Sequence, residues 1–209
     1  MVKHYSNFNI QKKYKGSIIL IGNFDGLHQG HQKLFKLAQS YKKKYNLKIG
    51  VINFDPMPKM FFNKKLKNFR LSNIQQKIKL LSKFKVDFVI TKKFDKKFSK
   101  TKALNFISEI LNKKLNSKFV FVSNNFRFGN NREGNVNLLI KNEKNYNYKV
   151  IKPKPFIKDK KIVSSSLIRN LLENGYLEKA NKLLNRNWTI EGIVQKGRQV
   201  GKKIGFPTC

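Results

Sequence analysis

Cysteine is almost absent from this 209-residue chain, and the single thiol, Cys209, is the last residue, so neither an internal disulfide nor a multi-thiol metal site can form. A reducing cytoplasm is the expected setting. Acidic residues are also scarce: 11 against 46 basic ones, for a formal net charge of +35 and a pI near 10.4. A positive field of that size attracts phosphates, nucleic acids and anionic membranes alike. Arginine is rare within the basic set, at six of the 46, which leaves 40 lysines spread along the whole chain rather than gathered in one patch. Base-edge readout relies on arginine forks, so no specific nucleic-acid partner is expected, and the lysines, with abundant Asn and Ile, read as compositional bias. No apolar run approaches the length of about eighteen residues that a membrane span needs, and residues 1–15 contain no apolar core of an export signal. No membrane partner is expected. What the chain has in quantity is apolar surface, 40% hydrophobic residues with 18 Phe, enough for one main globule with a real core.

Ser17-Ile18-Ile19-Leu20-Ile21-Gly22 is a short continuous apolar run ending at glycine, the pattern of a strand buried on both faces. Residues 32–45 then place Leu34, Phe35, Leu37 and Ala38 at helical spacing. The alternation continues with strands at 48–54, 86–90, 118–122 and 148–151, and helices at 72–85, 101–114, 163–172 and 177–184. Strands alternating with helices predict an α/β fold with a doubly wound, mostly parallel sheet. Residues 123–137, rich in Asn, Gly and Arg, read as a loop at the carboxyl end of a strand, where such sheets bind ligands. From Trp188 the character changes, with a predicted strand at 189–194 and glycines at 192, 197, 201 and 205 marking turns. The expected organisation is one domain over 1–187 and the first part of a small β-barrel over 188–209.

Gly22-Asn23-Phe24-Asp25-Gly26-Leu27-His28-Gln29-Gly30-His31 spans the turn from the first strand into the first helix. Free backbone N–H groups and the helix dipole attract anions there. Two imidazoles three residues apart lie on one side of a helix start and can donate to triphosphate oxygens, while Gly30 removes a side chain that would block close approach. Such a His pair also suits zinc, but His4 is the only other histidine and no cysteine cluster exists, so no metal site in the protein is expected. Ser164-Ser165-Ser166, with Arg169 one turn on, reads equally as a helix cap or as a phosphate cradle whose charge the guanidinium helps neutralise.

The His28-Gln29-Gly30-His31 element resembles the HxGH motif of the nucleotidyltransferase superfamily, and Val163-Ser164-Ser165-Ser166-Leu167-Ile168-Arg169 is similar to that superfamily's second motif. Three further stretches resemble one family, the bacterial bifunctional riboflavin kinase/FMN adenylyltransferase, or FAD synthetase. They are Phe54-Asp55-Pro56-Met57-Pro58, Asn125-Phe126-Arg127-Phe128-Gly129 with Arg132 and Gly134, and Gly192 to Thr208 ending Gly205-Phe206-Pro207-Thr208. The resemblance covers residues 16–209 in the family's order. It departs at the end, because the family continues past a PTxN motif and this chain stops at Cys209. It departs also at Ser166, where the family usually has Thr, and at Ser123, where its loop usually has Gly.

The resemblance implies a Rossmann-like nucleotidyltransferase that transfers AMP from ATP to FMN, giving FAD and pyrophosphate, with Mg²⁺ arriving on the ATP. It implies catalytic roles for His28, His31, Asn23 and Arg169, and an ATP site made of Gly22, Asn23, Phe24, His28, Gly30, His31, Ser164, Ser165, Ser166 and Arg169. The flavin is expected against Phe54, Pro56, Pro58, Asn125, Phe126, Arg127 and Phe128, since aromatics and prolines form flat apolar walls and Asn can bond a ring's polar edge. Those Phe suit an ordinary core equally well. Riboflavin kinase activity is not expected of this polypeptide. The alternatives are another small-acceptor enzyme of the superfamily, against which the kinase-like tail argues, and a basic nucleic-acid binder on the same scaffold.

Overall fold

The computed structural model describes residues 2–66, 69–193, 195, 197, 200, 204 and 205. Its centre is a six-stranded, all-parallel sheet of β1 (Lys3–Tyr5), β2 (Ile18–Ile21), β3 (Ile49–Asp55), β4 (Phe88–Lys93), β5 (Phe119–Phe121) and β6 (Lys149–Ile151), in the order β1-β4-β3-β2-β5-β6. The expected doubly wound α/β fold is present. β2 is apolar throughout because both its faces are covered. Alternate side chains divide between two cores: Ile19 and Ile21 join Ile52, Ile90 and Ile107 on one face, while Ile18 and Leu20 join Val51, Val89, Phe35 and Leu81 on the other.

Helix α1 (Gln29–Tyr45) buries Phe35 and Ala38 against the second core and stops where Asn46 turns left-handed. Helix α2 (Ile74–Ser82) starts from a complete capping box between Asn73 and Gln76. The predicted helix at 101–114 forms as Ala103–Asn105 running into a π-helix, Phe106–Lys114. Two further helices, α3 (Ser165–Glu173) and α4 (Leu177–Leu184), make a third apolar cluster in which Leu71, Ile168, Ala180 and Leu184 are buried and Trp188 packs at the edge.

Several expectations are revised. Residues 3–5 form an edge strand although their sequence has no apolar run; the parallel pairing with β4 decides it. The loop at 123–137 contains a two-stranded ribbon, Arg127–Phe128 with Gly134–Asn135, before a helix from Val136. Another ribbon, Ile157–Lys158 with Lys161–Ile162, turns at Asp159 and Lys160, both left-handed, as a two-residue primed turn requires. The strand expected at 189–194 is not formed over its described part, 189–193: Ile190 and Ile193 are 79% and 91% exposed, and among the described residues no strand lies alongside to complete a ladder. Val194, and the Phe206 to Cys209 portion of the tail motif, lie outside the described residues.

Candidate active site

The chain leaves the sheet at the carboxyl end of β2, where the Gly22 N–H donates to the Ile52 carbonyl (3.0 Å). Phe24 (φ 46°) and Leu27 (φ 39°) are then held left-handed, a strain of about 1–3 kcal/mol each that their near-complete burial supports. His28 caps α1 in extended conformation and stacks on His31, with ring centroids 3.7 Å apart at 23°. The Phe24 ring meets His31 edge-on at 5.3 Å, so Phe24 backs the histidine from inside the core. A Cβ on Gly30 would lie 3.2 Å from the His28 ring and 3.4 Å from the Val163 carbonyl. Glycine here permits the close approach of His28 and the segment leading to Ser164.

Nδ1 of His28, Nδ1 of His31 and Oδ1 of Asn23 are all buried without a hydrogen-bond partner among the described residues. Burial first, then the Arg169 and Arg186 charges, lowers the His28 pKa to about 4. His31 lies well below the usual histidine range, first through burial and then through His28 and Lys77. Both rings are neutral at pH 7, each with one N–H donor and one lone pair.

The serines divide their work. Ser164 caps α3 by accepting the Leu167 N–H (3.2 Å), Ser165 donates its hydroxyl to the Asp25 carbonyl (2.8 Å), and Ser166 is exposed with no side-chain bond among the described residues. Arg169 is engaged within the protein. Its guanidinium donates to the Asp25 carboxylate (2.6 Å) and to the Phe69 carbonyl (2.7 Å), and lies 3.7 Å over the Phe69 ring. Asp25, 2% exposed, also accepts the amides of Leu71 and Ser72. Arg169 thus ties α3 to the histidine turn through a buried acid, because an unpaired carboxylate at that depth would be far more costly than a paired one.

Beside this turn opens a cavity of about 630 Å³ whose lining includes Gly22, Asn23, Phe54, Pro58, Phe62, Phe94, Phe98, Phe106, Phe126, Arg127 and Phe128. Five of the seven residues expected at the flavin, Phe54, Pro58, Phe126, Arg127 and Phe128, are brought together there. Pro56 and Asn125 are not among its walls; Asn125 instead accepts the Ser123 hydroxyl (2.9 Å) on the exposed loop. Phe94, Phe98 and Phe106 were not foreseen, and the aromatic walls support one another, with Phe126 stacked on Phe128 at 5.4 Å and 14°. A second cavity, of about 420 Å³, lies away from this site near the start of β3 and β4 and includes Lys42 and Lys48. Their one acid, Asp87, is taken up by Lys42 (2.6 Å) and by the Ile49 N–H (2.7 Å).

A family model described as FAD synthetase matches residues 10–167. The chain belongs to the FAD synthetase family. A second family model, riboflavin kinase, matches residues 184–209. Among curated relatives, the bifunctional riboflavin kinase/FMN adenylyltransferase of Buchnera aphidicola subsp. Schizaphis graminum is 42% identical over 202 residues, 96% of this chain and 65% of that protein. The Escherichia coli (strain K12) protein of the same name is 36% identical, over 95% of this chain and 64% of its own. A FAD synthetase from Listeria monocytogenes is 30% identical, over 91% and 77%. The chain thus spans 64–65% of the length of the first two relatives. A solved structure described as a macrolide-efflux protein from Streptococcus pneumoniae superposes with a TM-score of 0.80 at 27% identity, covering 99% of this chain and 67% of that one. Among the described residues of the present chain, no helix is long and apolar enough to cross a membrane.

Proposed function

We propose that this chain is the FMN adenylyltransferase of the FAD synthetase family, acting in a reducing cytoplasm, with the adenylyltransferase domain over 1–187 and the start of a riboflavin kinase domain from 188. The observation that carries the reading is the junction at Gly22–Asn23. There an aromatic-walled cavity of about 630 Å³ meets the turn bearing two stacked, neutral histidines with unpartnered ring nitrogens. An apolar slot beside a polar, anion-seeking turn suits an acceptor that is a flat ring at one end and a phosphate at the other.

In the reaction, an oxygen of the FMN phosphate attacks the α-phosphorus of ATP, a new P–O bond forms to give FAD, and the bond to the β-phosphate oxygen breaks to release pyrophosphate. The attacking phosphate is already anionic at pH 7, so no protein base is needed and catalysis rests on positioning and charge stabilisation. His28 and His31 donate to the triphosphate and to the charge developing on the α-phosphoryl group. Asn23 orients that group, and Gly22 lets the backbone approach it. Phe24 and Gly30 set the two rings. Ser166, with the first amides of α3, receives the leaving pyrophosphate, while Ser164 and Ser165 hold the helix start. Arg169 acts through Asp25 as a positioning residue. Phe54, Pro58, Phe126, Arg127 and Phe128 bracket the flavin, with Pro56 and Asn125 shaping the adjoining loops.

Among the described residues no three His, Cys, Asp or Glu side chains gather as a metal cage. Mg²⁺ would arrive on ATP, held mainly by triphosphate oxygens and water, and would neutralise phosphate charge. Incubating the protein with ATP, Mg²⁺ and FMN and separating the products by chromatography tests the reading. FAD and pyrophosphate in equal amounts are expected, and an absence of FAD overturns it.

A further inference from the structure

The charges beneath the histidine turn do not balance. Among the described residues, the acids Asp25 and Asp55 meet the cations Arg169, Arg70 and Lys77, and Arg186 acts on His28 from nearby. Arg169 is engaged by Asp25 and Arg70 by Asp55. Lys77 is 5% exposed, yet its ammonium makes no ion pair or hydrogen bond among the described residues. This side chain stands one turn into α2, and its N–H donates to the carbonyl of the cap residue Asn73. The two residues before that cap, Leu71 and Ser72, are those whose amides bind Asp25. The start of α2 and the start of α3 therefore both reach Asp25 in the histidine turn.

The Lys77 side chain is 5% exposed, although its Nζ is not among the fully buried atoms left without a partner, and an ammonium so enclosed without a directly bonded counter-ion is disfavoured. Burial lowers its pKa, Asp25 and Asp55 oppose that, and Arg70 adds to it. The Lys77 charge also acts on His31, so the two side chains share one electrostatic neighbourhood. The same neighbourhood holds the unpartnered Nδ1 atoms of His28 and His31, Oδ1 of Asn23 and Oγ of Ser72. A surplus positive charge among polar groups still lacking partners is complementary to a multiply charged anion.

We propose that Lys77 is a phosphate-binding residue of this site, its ammonium pairing directly with the triphosphate of the bound nucleotide from the α2 side. The identity of that nucleotide rests on the adenylyl-transfer reading. The competing role is structural, with Lys77 serving as a second counter-ion that keeps Asp25 charged and the turn in place.

The two roles separate in the full chain with Lys77→Met and Lys77→Arg. Binding of Mg²⁺-ATP and of adenosine is measured by calorimetry without FMN, and thermal unfolding is followed alongside. Lys77→Met should weaken ATP about tenfold or more, the scale of a charge-assisted bond. Adenosine affinity should not change, and the melting temperature should hold or rise because an unpaired buried charge is gone. Lys77→Arg should recover part of the ATP affinity. Unchanged ATP binding in Lys77→Met overturns the proposal, as does a lowered melting temperature with ATP and adenosine weakened alike. Should Lys77→Met fail to fold, Lys77→Gln measured the same way decides between the same outcomes. FAD formation by the unsubstituted protein is followed in parallel. Unsubstituted protein that binds ATP without making FAD overturns adenylyl transfer alone, leaving the ATP comparison decisive for Lys77; failure to bind ATP overturns both.

Discussion

The two halves of the site are built on opposite principles. On the histidine side, polar groups are buried ahead of need: Asn23, His28 and His31 carry unpartnered atoms, the rings are held neutral, and Asp25 and Arg169 lock the turn to α3. On the aromatic side, Phe54, Phe94, Phe98, Phe126 and Phe128 satisfy one another by edge and stacked contacts, and the cavity they enclose is mostly apolar. Under the proposed function, the first half offers its unpartnered polar atoms to an anion, and the second offers apolar surface to a flat ring. Chemical precision thus belongs to the half built on rigid strand and helix ends, and tolerance to the half built on loops and short ribbons.

The strongest way to break this contrast is Arg169→Ala, which strands the buried Asp25 carboxylate. A stability loss of about 3–5 kcal/mol by chemical denaturation is expected, against a far smaller loss for Phe126→Ala. If Arg169→Ala instead keeps its stability and loses only pyrophosphate release, the guanidinium serves phosphate and not the turn.

Acid comes next in size. His28 has a folded pKa of about 4 against 6.5 when unfolded, so between those values the unfolded chain binds more protons. Stability contributed by the neutral ring is therefore whole above pH 6.5 and is lost as pH falls toward 4, on the order of 3 kcal/mol for this group alone. Saturating ATP should blunt the loss, since phosphate favours the protonated ring. Melting curves across this range that stay flat without nucleotide would argue against a tensioned histidine pair.

His28→Ala should lower kcat by on the order of 10²-fold, the scale of one preorganised donor, with little change in the KM for FMN. A change confined to KM would place His28 in ground-state binding only. The smallest effect is expected on the aromatic side: Phe126→Ala removes one stacked ring, about 0.5–1.5 kcal/mol, which should raise the KM for FMN several-fold and leave that for ATP alone. Equal effects on both substrates would dissolve the division between the halves.

What was legible beforehand follows from distance along the chain. The strand of 18–21, the turn into α1 and the serine cap of α3 each depend on neighbours within a few residues, and each forms close to where periodicity and capping chemistry put it. The ion pair of Arg169 could not be read locally, because its partner Asp25 is 144 residues away and lies in the same motif that suggested phosphate. Lys77 gave no signal at all, since one buried lysine cannot be told from 39 others by composition. Phe94 and Phe98, set among lysines, carry no periodic signal, and only the packed sheet brings them against Phe54.

The amino-acid sequence by itself determined the alternation of elements, the anion-seeking turn and the family resemblance, because strands, helix starts and caps are short-range consequences of residue order. Tertiary structure alone decided which charges pair, which nitrogens stay unpartnered and which phenylalanines become walls. Those outcomes depend on burial and on contacts between residues tens to more than a hundred positions apart, and only the packed sheet with its covering helices sets them.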